Sequence, residues 1–216
     1  MRRFDTILFD LDGTLTDNGE GITNSVAHAL RKFGITPPPR EELNKFIGPP
    51  LRDCFVNWYV GEERGDLAVE YYREYYRPHG IFENEVYDGI PETLAALKAA
   101  GCTLAIATSK PKVFAKKIAD HFDLAKYFTV IAGSTLDGSL IKKGDVIEYC
   151  LGKLGNPDRS RTVMVGDREH DIFGAAQAGL PGIGVTYGYG SREELTAAHA
   201  IAIADTPTQL QKIILS

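Results

Sequence analysis

A chain of 216 residues with 44% hydrophobic and 25% charged residues holds enough apolar material for one well-buried core with an insertion, which excludes disorder and fibrous repeats. Its net charge of −5 and scattered basic residues argue against a nucleic-acid polymer as partner, while leaving room for a local anion site. Cys54, Cys102 and Cys150 are far apart and odd in number, no apolar run approaches a membrane span, and Met1-Arg2-Arg3-Phe4-Asp5 carries no export signal. A cytoplasmic protein without membrane contact, monomeric or dimeric, is expected.

Thr6-Ile7-Leu8-Phe9 is a short apolar run stopped by Asp10 and the turn-forming Asp12-Gly13, and it reads as a buried strand ending in a loop. From about residue 20 to residue 80 the apolar period becomes helical. Ile22, Val26, Ala29, Leu30 and Phe33 share one face before the Pro37-Pro38-Pro39 break, and Leu51 to Tyr59 and Leu67 to Tyr76 follow. Residues 16–87 therefore read as an all-helical insert. After Asp88-Gly89 the chain alternates: helices at 91–100, 111–121, 145–154, 171–178, 192–198 and 207–215 are interleaved with strands at 103–107, 128–132, 162–165, 182–185 and 200–204. Such spacing implies parallel crossovers and an α/β, doubly wound, Rossmann-like parallel sheet, built from residues 1–15 and 88–216, whose ligand site lies beyond the C-terminal ends of the strands.

Four segments fall where strands should end. Alternation along Asp10-Leu11-Asp12-Gly13-Thr14 lets Asp10 and Asp12 approach one bound group while Gly13 permits a sharp turn. Thr108-Ser109-Lys110, Lys142-Lys143 and Gly166-Asp167-Arg168-Glu169-His170-Asp171 follow, with Asp167 and Asp171 four apart across a turn into a helix. Each has a plainer alternative: an Asp-Gly turn, a helix cap before Pro111, a solvated lysine pair, or acids stabilising a helix N-terminus. Tyr71, Tyr72, Tyr75 and Tyr76 recur at helical spacing and read as a packed face, and the five histidines show no ligand spacing.

In kind and order these segments resemble the motifs of the haloacid dehalogenase-like hydrolase superfamily, in particular its phosphoglycolate phosphatase-like branch with a helical cap, over nearly the whole chain. The resemblance implies a Mg2+-dependent phosphatase. Asp10 would be the nucleophile, Asp12 the general acid and base, and Thr108 a hydrogen-bond partner of the phosphoryl oxygens, helped by the backbone near Ser109. Lys143 would neutralise the phosphate and hold Asp10, with Lys142 as the alternative, since Gly144 stands where relatives often carry proline. Mg2+ would be held by Asp10, Asp167 and the backbone carbonyl of Asp12, with Asp171 nearby or acting through water. Gly48-Pro49-Pro50-Leu51-Arg52 resembles the substrate-facing cap loop, so Arg52 is either a substrate-binding residue or a surface arginine. The implied partner is a small phosphorylated metabolite, phosphoglycolate-like or a nucleoside 5'-monophosphate. A phosphomutase acting on a sugar phosphate and a non-catalytic phosphate-ligand-binding protein are the rivals.

Overall fold

The computed structural model describes residues 3–216, so Met1 and Arg2 of the expected core segment and N-terminus lie outside the described residues. In chain order the elements are β1 (Thr6–Phe9), β2 (Thr16–Asp17), α1 (Gly19–Lys32), α2 (Arg40–Leu43), α3 (Leu51–Phe55), α4 (Gly65–Tyr75), β3 (Glu85–Val86), α5 (Ile90–Ala99), β4 (Thr103–Pro111) and α6 (Lys112–His121). They continue with β5 (Val130–Ser134), α7 (Lys143–Lys153), β6 (Thr162–Gly166), α8 (Glu169–Gln177), β7 (Gly182–Val185), α9 (Arg192–Ala197), β8 (Ala202–Ala204) and α10 (Pro207–Leu215). The chain divides into two compact units, Met1–Thr16 with Val86–Ser216, and Asp17–Glu85.

The first unit is built on a six-stranded sheet in the order β5-β4-β1-β6-β7-β8, with every pairing parallel. Its central strands β4, β1, β6 and β7 are largely buried on both faces. Leu8, Ala105, Ala107, Ala132 and Met164 pack against Val146, Ile147, Cys150 and Leu151 of α7 and Ala175 of α8. Their chain neighbours Ile7, Phe9, Leu104, Ile106, Val163 and Val165 point the other way and are equally buried. Each such side chain contributes on the order of 1.5–3 kcal/mol, so the central strands are the least tolerant of truncation. The chain leaves β1 toward β4 and later returns to β6 on the other side. This makes the end of β1 a topological switch point, where doubly wound sheets open a crevice.

The second unit is helical. α1 packs on α4 and on a wide helical turn at Tyr76–Gly80, and a Cβ on Gly21 would fall 1.8 Å from the Gly80 carbonyl oxygen, so only glycine allows this approach. Tyr72 and Tyr76 are buried and stacked with ring centroids 5.2 Å apart, the packed face that their spacing indicated.

The expected elements are present with shifted ends. β4 runs on to Pro111 instead of stopping at Ala107, because Thr108 and Pro111 still pair with β5 across a register shift. β5 begins at Val130 and not at Phe128, since a short turn at Ala125–Tyr127 first ends the preceding segment. α7 begins at Lys143 and α8 at Glu169, each two residues earlier than the apolar pattern indicated. The leading turn of a helix need not carry core-facing residues.

Candidate active site

The segment after β1 is a tight loop in which the Leu11 carbonyl accepts N–H bonds from Leu15 (2.9 Å) and Thr16 (3.0 Å). Gly13 adopts φ +83°, and a Cβ there would lie 2.2 Å from Asp167 Oδ2. Backbone conformation and close approach therefore both require glycine at this turn. The loop carries Asp10, 4% exposed, and Asp12 at the sheet's C-terminal edge.

Lys143, at the first position of α7, is drawn inward. Its ammonium sits 2.9 Å from Asp10 Oδ1 and 2.8 Å from Asp171 Oδ1, and it donates to the Ala107 carbonyl at 3.3 Å. Burial opposes its charge, but Asp10 and Asp171 outweigh that and push the ammonium's pKa above its ordinary value. Asp171 also caps its own helix, its Oδ2 accepting the Arg168 N–H at 3.1 Å. Lys142 lies outside this group as the exposed residue before the helix.

Asp167 is fully buried at the end of β6. Its Oδ2 accepts the Tyr189 N–H at 2.9 Å, and its Oδ1 accepts the Thr14 hydroxyl at 3.3 Å. The loop after β7 closes over it: a Cβ on Gly188 would meet the Gly13 carbonyl oxygen at 2.1 Å and Asp167 Cβ at 2.6 Å. The Tyr187 hydroxyl, held protonated by burial and by Asp167, donates to the Thr14 carbonyl at 3.1 Å.

One oxygen from each of Asp10, Asp167 and Asp171 lies within 4.8 Å of the others. Burial first, then Asp171 and Asp10, raises the pKa of Asp167 well above the ordinary carboxylate range; burial, with Asp10 adding to it and Lys143 opposing, raises Asp171 to about 6. Hard oxygen donors gathered in a buried, anionic pocket fit a divalent cation such as Mg2+.

On β4, Thr108 is buried, and its Oγ1 accepts the Lys110 N–H at 3.2 Å. Ser109 is half-buried beside it. The Lys110 ammonium lies 2.6 Å from Asp12 Oδ2, a partnership that the sequence reading missed although Lys110 directly follows the Thr108-Ser109 pair. The loop at 187–190 was missed as well, because its hold on Asp167 runs through the Tyr189 N–H and the room left by Gly188. Arg52 belongs to the helical unit, where its guanidinium donates to Asp66 Oδ1 at 2.9 Å and to Glu62 Oε1 at 2.8 Å. That exposed network gives the arginine a structural task within its own unit.

A family model described as haloacid dehalogenase-like hydrolase matches residues 7–185. The chain is 50% identical over 196 residues to a 5'-nucleotidase of Pseudomonas aeruginosa, covering 90% of this chain and 88% of that protein. It is 39% identical over 210 residues to the tyrosine-protein kinase PtkA of Mycobacterium tuberculosis, covering 96% of this chain and 72% of that one. The crystal structure of a predicted phosphatase from Clostridium acetobutylicum superposes with a TM-score of 0.94 at 50% identity, covering 97% of each chain. With its acidic loop after the first strand, buried lysine and paired acids set at the ends of a parallel sheet, the chain belongs to the haloacid dehalogenase-like hydrolase family.

Proposed function

We propose that this phosphoric monoester hydrolase passes the phosphoryl group of a nucleoside 5'-monophosphate to Asp10 and then to water, with Mg2+ as cofactor. The observation that carries the chemistry is the buried Lys143 ammonium bridging Asp10 and Asp171 beside Asp167. The substrate class draws its support from the relative named 5'-nucleotidase.

A phosphate monoester is a dianion, and a carboxylate reaches its phosphorus only when positive charge offsets the repulsion. Asp10, Asp167 and the Asp12 backbone carbonyl would hold Mg2+, with Asp171 beside them, and the bound ion would supply part of that charge. Lys143 supplies more and fixes the Asp10 carboxylate, and Thr108 donates to a phosphoryl oxygen. An Asp10 oxygen attacks phosphorus, the bond from phosphorus to the 5'-oxygen breaks, and Asp12 gives its proton to the departing oxygen. Water then attacks phosphorus and loses a proton to Asp12. The bond from phosphorus to Asp10 breaks, and inorganic phosphate leaves.

Leaving-group selection is assigned to the helical unit, residues 16–87 in the sequence reading. A cytoplasmic location belongs to the same proposal: the three cysteines are buried and form no disulfide, and among the described residues no helix is long and apolar enough to cross a membrane.

The test is phosphate release from nucleoside 5'-monophosphates, phosphoglycolate, sugar phosphates and pyrophosphate, with Mg2+ and with chelator. Magnesium-dependent release greatest on the nucleotides is expected. Release concentrated on another class would reassign the substrate, and none from any would overturn the reading.

A further inference from the structure

We propose that Lys110 is a positioning residue for Asp12, fixing the carboxyl group that protonates the leaving oxygen. The inference rests on the general-acid reading of Asp12 and extends it to a residue outside the motif positions. Two buried lysines pair with three of the four carboxylates of the site, Asp167 being held by the Tyr189 N–H and the Thr14 hydroxyl. Lys143 holds Asp10 and Asp171, and Lys110 holds Asp12 at 2.6 Å, with only 6% of the Lys110 side chain and 12% of the Asp12 side chain exposed.

The backbone of β4 is shaped to deliver this lysine. Thr108 pairs with Gly133 and Pro111 with Ser134, so Ser109 and Lys110 are extra residues in a bulge, a device that re-aims side chains at strand ends. The Lys110 N–H is tied to Thr108 Oγ1 at 3.2 Å. The bulge packs onto a glycine, since a Cβ on Gly133 would stand 2.5 Å from the Lys110 carbonyl oxygen. A surface lysine needs none of these fixtures. An aspartate has two free torsions, and a displacement of about 1 Å at a proton-transferring group costs on the order of a hundredfold in rate.

Positioning of an acid has a signature that phosphate binding lacks. Protonation matters for a basic leaving group such as a nucleoside 5'-oxygen, and little for p-nitrophenolate, which departs as an anion. The experiment measures kcat/KM, which reports the first transfer, for wild type, Lys110→Met, Lys110→Arg and Asp12→Asn on a nucleoside monophosphate, phenyl phosphate and p-nitrophenyl phosphate. Asp12→Asn and Lys110→Met should both lose roughly a hundredfold or more on the nucleotide but only a few-fold on the nitrophenyl ester, with Lys110→Arg in between. An equal loss on all three esters for Lys110→Met, beside a steep series for Asp12→Asn, would overturn the proposal and leave the phosphatase reading intact. A flat series for Asp12→Asn would remove the acid role of Asp12 and this proposal with it. Should Lys110→Met fail to fold, Lys110→Gln and Lys110→Arg make the same comparison.

Discussion

A single ammonium group decides whether Asp10 and Asp171 can share a buried site. Lys143 lies within 3 Å of both, and removing one partner of a buried ion group leaves charge that neither water nor a neighbour offsets. Lys143→Met should therefore lower kcat by at least about a hundredfold and destabilise the metal-free protein by roughly 3–5 kcal/mol, read by steady-state kinetics and by denaturant unfolding in chelator. Unchanged kcat would exclude Lys143 from the chemistry. At this scale the sequence was informative wherever a side chain carries the chemistry. Asp10, Asp12 and Asp167 could be named from their positions after apolar runs and Asp171 from its spacing of four from Asp167, whereas the choice between Lys142 and Lys143 depended on where α7 begins, which neighbouring lysines do not reveal. The pairing of Arg52 with Glu62 and Asp66 was not legible either, because these partners lie 10 and 14 residues away in a fold that the local pattern does not specify.

Elements place these side chains by means that leave little trace in the sequence. The alternation of helices and strands was readable because apolar runs and glycine breaks report it locally. The bulge in β4 was not, since it exists only relative to the register of β5. The loop after β7 was equally silent. Its Tyr189 N–H holds Asp167 Oδ2 at 2.9 Å, and Gly188 leaves the room for Asp167 that a side chain would occupy. Partners of this kind orient a metal-binding carboxylate, and their loss typically costs about 10- to 100-fold in metal affinity. Gly188→Ala should accordingly raise the Mg2+ concentration for half-maximal activity by about that factor while leaving most of kcat recoverable at saturating Mg2+. A magnesium titration checks this. A loss of kcat that excess metal does not restore would mean that the loop serves the phosphoryl group instead of Asp167.

Over the whole molecule, folding gathers acids that lie as far apart as residues 10 and 171 into one buried group, against which two lysines stand. That assembly links stability to both protons and metal. Asp171, raised to about 6 chiefly by burial, and Asp167, also raised, first by burial, bind protons more tightly in the folded chain than in the unfolded one, where a carboxylate titrates near pH 4. Their contribution is complete below about pH 4 and is lost as pH rises through the folded-state values, because unfolding then releases protons. The exposed carboxylates whose pKa values are lowered, such as Glu148 and Asp158, are ionised in both states above about pH 5 and add no slope there. His170, lowered by burial, adds an opposite slope below about pH 6.5, and substitution of Asp167 separates the acids from it. Mg2+ bound as proposed would take the place of those protons, so its stabilising effect, about 2.7 kcal/mol at a hundred times its Kd, should grow between pH 5 and pH 7. Thermal unfolding at several pH values, in fixed Mg2+ and in chelator, should show a gap in Tm that widens with pH and narrows in Asp167→Asn. A gap independent of pH would mean that the cation binds away from Asp167 and Asp171, and the charge balance drawn for the site would have to be abandoned.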